Sequence, residues 1–146
     1  MTIKLVVRGF ILHTISAYAP QAGLGEEEKR RFWEDLDEMV GGKPPTEKLF
    51  IGGDFNGHIG SISGGYYDMH EGCGFGDRNR EGVALLDFTK AFGLVVANSS
   101  FSKKEEHLVT FRSSMAKTQI DFLLLRKGDR GLCKDCKVIP SESLTT

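Results

Sequence analysis

A chain of 146 residues that is 40% hydrophobic and 27% charged has the size and composition of one globular domain with one sizeable core. Nineteen Lys and Arg against twenty Asp and Glu leave a formal net charge of −1, which excludes a global positive field for nucleic acid, so any phosphate contact is local. No apolar run is long enough to span a membrane, and Met1 to Arg8 is too short and strand-like for a signal peptide; an intracellular protein, nuclear or cytoplasmic, is expected.

Ile3 to Val7 and Ile11 to Tyr18 are β-branched, apolar-rich runs separated by Arg8-Gly9, which predicts a hairpin. Pro20 ends the second strand, because it cannot donate to a ladder and drives Ala19 to an extended conformation, so Tyr18 sits at a strand end. Glu26-Glu27-Glu28 followed by Lys29-Arg30-Arg31 matches a helix dipole. Phe32, Trp33, Leu36, Met39 and Val40 recur at helical spacing, and Gly41-Gly42 with Pro44-Pro45 stop the element. The basic triplet is read as a solvated face and Trp33 as core.

Leu49-Phe50-Ile51 is a short apolar run that stops at Gly52-Gly53 and then presents Asp54 and Asn56 on one side of an extended backbone. A buried strand ending this way sets its last polar residues at the rim of a sheet, within reach of a ligand. Gly57 to Gly76 follows as a long glycine-rich loop, in which His58 is read as a loop hydrogen-bonder and Tyr66 with Tyr67 as loop packing; a loop of this length in a compact domain is functional or disordered. Asp77-Arg78-Asn79-Arg80-Glu81 predicts a helix start, with Val83, Leu86, Phe88 and Phe92 as apolar positions and Gly93 as the stop. Leu94 to Ala97 reads as a buried strand closed by Asn98-Ser99-Ser100. Leu108 to Arg112 and Gln119 to Leu125 are predicted as two more strands joined by a hairpin loop, Ser113 to Lys117.

The order of elements predicts an α/β sandwich with mixed, largely antiparallel sheets, with no internal repeat and no linker to split the chain. Cys73, Cys133 and Cys136 are too few for a disulfide framework. The Cys133-Lys134-Asp135-Cys136 spacing lacks a second Cys pair or a helix start, so these are read as free thiols near a loop.

Asp54, Asn56 and Asp121 occupy strand positions where packing alone would select apolar residues, and a buried carboxylate such as Asp121 is costly unless paired. Two carboxylates and a carboxamide on neighbouring strands can position a water, bind a divalent cation through oxygen, and donate to a developing negative oxygen. Those are the requirements of metal-assisted phosphodiester hydrolysis.

Tyr18-Ala19-Pro20, Gly53-Asp54-Phe55-Asn56 and Ile120-Asp121-Phe122-Leu123-Leu124 resemble the successive motifs of the endonuclease/exonuclease/phosphatase superfamily. Asp54 to Gly60, Gly74 to Asn79 and Leu108 to Arg112 look most like the apurinic/apyrimidinic-endonuclease-like domain of non-LTR retrotransposons and of the craniofacial development protein 2 group. The resemblance implies that the chain is a single, incomplete domain, the C-terminal part of a four-layer α/β sandwich. It implies Asp54 as the residue aligning the attacking water, Asn56 and Tyr18 at the scissile phosphate, and Asp121 orienting a histidine. Gln21, Asn98 and Arg78 become further substrate contacts, and Asp54 and Asn56 ligands of Mg2+ or Mn2+. The family's metal-ligating Glu and its terminal histidine have no counterpart; Ser141 to Thr146 reaches the end where that histidine is due, and none of His13, His58, His70 or His107 replaces it. The expectation is a fragment of a magnesium-dependent endonuclease whose parent cuts DNA, or RNA, and which is inactive or nearly so alone, with weak or no metal binding. A degenerate transposon-derived binding module, or a phosphatase on lipid or sugar phosphates, are the alternatives. Thr118 stands where the abasic-site enzymes carry an aromatic, so specificity for abasic DNA is not expected. A sandwich lacking strands exposes apolar faces and edges, so self-association through sheet edges is expected as well.

Overall fold

The structure, a computed structural model, describes residues 1–137 apart from 22, 67, 113 and 115. The expectations for Tyr67 and for Ser141 to Thr146 lie outside the described residues.

β1 (Thr2–Val7) and β2 (Phe10–Tyr18) form the predicted antiparallel hairpin, turning through Arg8 and Gly9 with φ of 44° and 87°. β3 (Lys48–Asp54) lies parallel to β2, and the crossover that a parallel pair requires is supplied by α1 (Glu26–Gly41). α1 begins without a side-chain cap, and its three first-turn glutamates complement the free N–H groups there. α2 (Arg80–Ala91) starts at Asn79, whose side chain accepts from Gly82 N, and is followed by β4 (Leu94–Val96).

β5 (Phe111–Arg112) and β6 (Lys117–Thr118) make a separate two-stranded ribbon, and β7 (Asp121–Arg126) enters the main sheet between β3 and β4. The order β1-β2-β3-β7-β4 thus holds one parallel pair among antiparallel ones, the mixed, largely antiparallel arrangement expected.

The predicted pairing of Leu108 to Arg112 with Gln119 to Leu125 is corrected. Thr110 Oγ1 accepts from the Ile120 and Asp121 amides, at 2.9 and 3.2 Å, and Ile120 O accepts from Phe55 N at 2.8 Å. These bonds replace the ribbon's ladder and pass the chain to β3.

Alternation along the strands gives the sheet two unlike faces. Ile15, Ala17, Leu49, Ile51, Phe122 and Leu124 are buried on the side covered by α1, through Leu36 and Val40, and by α2, through Leu85, Leu86 and Phe88. Trp33 joins the helices, its ring 5.3 Å from Phe88. The opposite face carries Ile3, Leu5, Val7 and Phe10, each about 40% exposed, so in the described residues the main sheet has a helical layer on one face.

Candidate active site

The candidate residues converge at one end of β2, β3 and β7. Tyr18 is the register partner of Asp54 across the parallel pair, and Asp54 is the register partner of Asp121 across the antiparallel pair. Residues aligned in this way point to the same face, here the face away from the helices. Two directly opposed side chains in such a ladder have Cβ atoms about 4.5–5.5 Å apart.

The turn after Asp54 is fixed from three directions. Asp54 Oδ1 accepts from Asn56 N at 2.8 Å, an Asx-type turn that holds Asn56 at φ 48°. Asn56 Nδ2 donates to Ala19 O, and Ala19 N donates to Asp54 O, both at 2.8 Å. Phe55 N donates to Ile120 O on the other flank and its ring is buried at 1% exposure. Gly53 permits this closeness: a Cβ there would lie 1.8 Å from Ala17 O. Among the described residues Asp54 Oδ2, the second N–H of Asn56 and its Oδ1 have no hydrogen-bond partner.

Asp121 is half-buried, and burial raises its carboxyl above the ordinary value; a hydrogen bond from Thr110 lowers it and the Asp54 charge raises it further. Its carboxylate is therefore the more readily protonated of an ordinary aspartate's range, a property set by desolvation first. Tyr18 presents its ring to solvent at 68% exposure, and Gln21 is exposed in the segment between β2 and α1.

Asn98 and Arg78 are committed to the frame of the site. Asn98, in the 3-10 turn Ala97–Ser99, accepts from Leu123 N at 2.8 Å and donates to Asp121 O at 3.4 Å, clipping β7 behind Asp121. Arg78 donates to the carbonyls of Ile59, Ile62, Ser63 and Gly64 and lies over the Tyr66 ring at 5.1 Å, gathering the glycine-rich loop around one guanidinium.

Sequence reasoning missed three residues that support the site. Thr110 holds Asp121 as described above. Asn79 Oδ1 accepts from both Gly82 N and His58 N, at 2.9 and 2.8 Å, so the cap of α2 also anchors the loop leaving Asn56. Gln119, 2% exposed, accepts from Phe75 N at 3.2 Å and ties that loop to the start of β7. The signals were Asn79 before a helix start, polar Thr110 between Val109 and Phe111, and Gln119 beside Ile120 at the entry to an apolar strand.

Two histidines are engaged elsewhere. His13 pairs with Glu47 at 3.3 Å, and His70, fully buried, contacts Gly60 O and Gly72 N. The cysteines are free; burial pushes the Cys136 thiol up to about 11, with Cys133 and Asp135 adding to the effect.

Among the described residues no group of three or more His, Cys, Asp or Glu side chains is gathered to hold a metal ion. The side chains at this turn offer oxygen donors, the carboxylate of Asp54 and the carboxamide of Asn56, with Asp121 the register partner of Asp54. Such a set suits a hard cation that keeps most of its coordination for water and phosphate. No helix among them is long and apolar enough to cross a membrane.

The fold is shared with solved endonuclease/exonuclease/phosphatase structures, the fold that the three motifs anticipate. The chain superposes on the endonuclease domain of TRAS1, a telomere-specific non-LTR retrotransposon, with a TM-score of 0.56 over 90% of this chain and 52% of that one, at 13% identity. An endonuclease/exonuclease/phosphatase family protein from Leptotrichia buccalis C-1013-b gives 0.51 over 85% of this chain and 40% of that one, at 12% identity.

By sequence the chain is similar to craniofacial development protein 2. It is 31% identical to the protein of Tragulus javanicus and 30% identical to that of Bos taurus, in each case over 147 aligned positions that cover 96% of this chain and 24% of the relative. It therefore spans about a quarter of the length of the curated relatives it matches. No family model matches the chain.

Proposed function

We propose that Tyr18, Asp54, Asn56 and Asp121 are the phosphate-handling part of a magnesium-dependent phosphodiesterase that cuts nucleic-acid backbones, DNA in the first instance. The observation that carries this reading is the Tyr18–Asp54–Asp121 row, with the Asn56 turn locked beside it.

In this reading Asp54 Oδ2 accepts a proton from the attacking water and aims it. Asn56 donates its second N–H to a phosphate oxygen as charge builds there, its first being held by Ala19 O so that the amide is already oriented. Tyr18 donates to the same phosphate from the neighbouring strand. Gln21, Asn98 and Arg78 act on the substrate side, Asn98 and Arg78 by shaping β7 and the glycine-rich loop. Mg2+ or Mn2+, held by Asp54 and Asn56, would neutralise the phosphate and stabilise the leaving oxygen, a contribution of several kcal/mol.

Asp121 has Thr110 and Asp54 as its polar neighbours, and a histidine facing it would be supplied by the remainder of the parent domain. Loss of one member of a catalytic unit lowers rates by orders of magnitude. The chain alone is accordingly expected to cleave slowly or not at all, and its open apolar face and the β1 edge to favour self-association.

A plasmid-nicking assay with magnesium tests the reading in the full-length parent and in this chain. The parent should nick, Asp54→Ala should abolish nicking, and the chain alone should be inactive or nearly so. A parent that binds DNA in a salt-dependent manner without nicking it would replace this reading with that of a binding module.

A further inference from the structure

A cavity of about 200 Å³ opens between the N-terminal ends of α1 and α2, on the helix side of the sheet and away from the face that bears Asp54 and Asp121. Its wall is aromatic. Phe32 and Trp33 of α1 meet edge to face at 4.9 Å, and Trp33 lies nearly parallel to Phe55, with an interplanar angle of 17° and centroids 6.3 Å apart. Trp33, expected as plain core, is thus half-buried with part of its surface in this cleft.

The rim is charged and unevenly compensated. Lys29 Nζ bonds Glu81 at 3.0 Å and lies 3.7 Å from Glu26, one cation shared by the two carboxylates of the lining. Arg30 turns to Glu27 and Glu34. Arg80, exposed at the first turn of α2, has no carboxylate within 4 Å among the described residues, so it is the cation of the rim whose hydrogen-bond donors are open to an anionic group.

An apolar cavity of about 150 Å³ is enough to take up benzene. The space here admits one six-membered ring with a substituent reaching the rim. We propose that this cavity binds a small aromatic anion, a single planar ring carrying a phosphate or carboxylate, with the ring against Phe32 and Trp33 and the anionic group on Arg80. Occupancy is felt at the candidate active site, because Ala19 lines the cavity and receives the Asn56 amide, and Phe55 stands between Asp54 and Asn56.

The chain has a single tryptophan, so the Trp33 indole N–H gives one resolved NMR resonance. The full 146-residue chain is titrated with phenyl phosphate, benzoate and thymidine monophosphate, with phenol and inorganic phosphate as controls. The expected result is a saturable shift of that resonance with the aromatic anions. Affinity should fall about tenfold in Arg80→Ala, the loss of one charged hydrogen bond, and vanish in Ala84→Leu, which fills the cavity. Stronger binding of thymidine monophosphate than of benzoate assigns the site to nucleotides and the reverse order to aryl acids, and either supports it. No saturable shift with any aromatic anion, an equal response to phenol or inorganic phosphate, or unchanged affinity in Arg80→Ala would overturn the proposal.

Discussion

Asp54 and Asp121 stand directly opposite one another in the β3–β7 ladder, on the face of the sheet turned from the helices. Two like charges so placed oppose folding, and Asp121 is the member whose carboxyl is raised, first by burial and further by Asp54, against the lowering bond from Thr110. A folded value above the unfolded one means that the folded protein holds more protons in the window above 3.8. Stability therefore falls as pH rises through that window, and the penalty is complete above the folded value. Asp121→Asn should be more stable than the natural chain at neutral pH by roughly 0.2–1 kcal/mol, with the difference vanishing as the pH falls below the window. Urea unfolding at neutral and acid pH measures it; a variant less stable than the parent at neutral pH contradicts the account.

Gly82 reverses the ordinary rule for glycine in a helix. Alanine normally gains about 1 kcal/mol there. At Gly82 a Cβ would stand 1.7 Å from His58 O, where the loop leaving Asn56 crosses the first turn of α2. Gly82→Ala should cost roughly 1–3 kcal/mol or more, because backbone must move. Gly41→Ala at the end of α1, whose Cβ would meet only the Phe92 ring at 4.0 Å, is the control and should be neutral or stabilising. Equal effects at both positions would mean that the loop does not press on α2.

The sequence made the local chemistry of the site readable and left its lateral geometry hidden. An apolar run halted by Gly52-Gly53 marks Asp54 and Asn56 as rim residues, and Asn79 with Gly93 brackets α2, because caps and strand ends are written in adjacent residues. Which strands lie side by side is a long-range matter. The pairing of Asp54 with Asp121 follows from β7 entering between β3 and β4, and the break that sends it there is made by Thr110 and Phe55 from other segments. Arg78 illustrates the same limit: the resemblance implies a substrate contact, and the donors that the structure adds go to loop carbonyls that no spacing rule identifies.

His70 makes the glycine-rich loop sensitive to acid. It is fully buried, Nε2–H donates to Gly60 O at 3.1 Å, and Nδ1 accepts from Gly72 N at 3.3 Å, an arrangement that only the neutral ring satisfies. Burial, reinforced by the Arg78 charge, holds its folded value below the ordinary 6.5, while the Gly60 carbonyl favours the charged form. The unfolded chain thus binds the proton first. Stability from this residue is fully present above 6.5 and is lost as pH falls from there through the folded value. Unfolding free energies across that range should rise with pH in the natural chain and change less in His70→Gln. Amide exchange at Gly72 should quicken in the acid part of the window, and an identical pH slope in both proteins would remove His70 as the cause.

Thr110 is a positioning residue for Asp121. Its Oγ1 accepts from the Ile120 and Asp121 amides, which leaves the hydroxyl proton for the Asp121 carboxyl, and that bond lowers the carboxyl against the effect of burial. Thr110→Val keeps the shape and removes the oxygen. Two amides then lose their acceptor, at a cost of about 1–3 kcal/mol for each that stays buried, and the Asp121 carboxyl should titrate at higher pH. Thr110→Ser restores the oxygen and should recover both properties apart from the lost methyl group. Carbon-detected NMR titration of the Asp121 carboxyl, run beside urea unfolding, separates the two roles. A valine variant that is destabilised while Asp121 titrates unchanged would reduce Thr110 to a clip for the backbone; a shift in both, reversed by serine, makes the hydroxyl the group that sets the charge of the carboxylate facing Asp54.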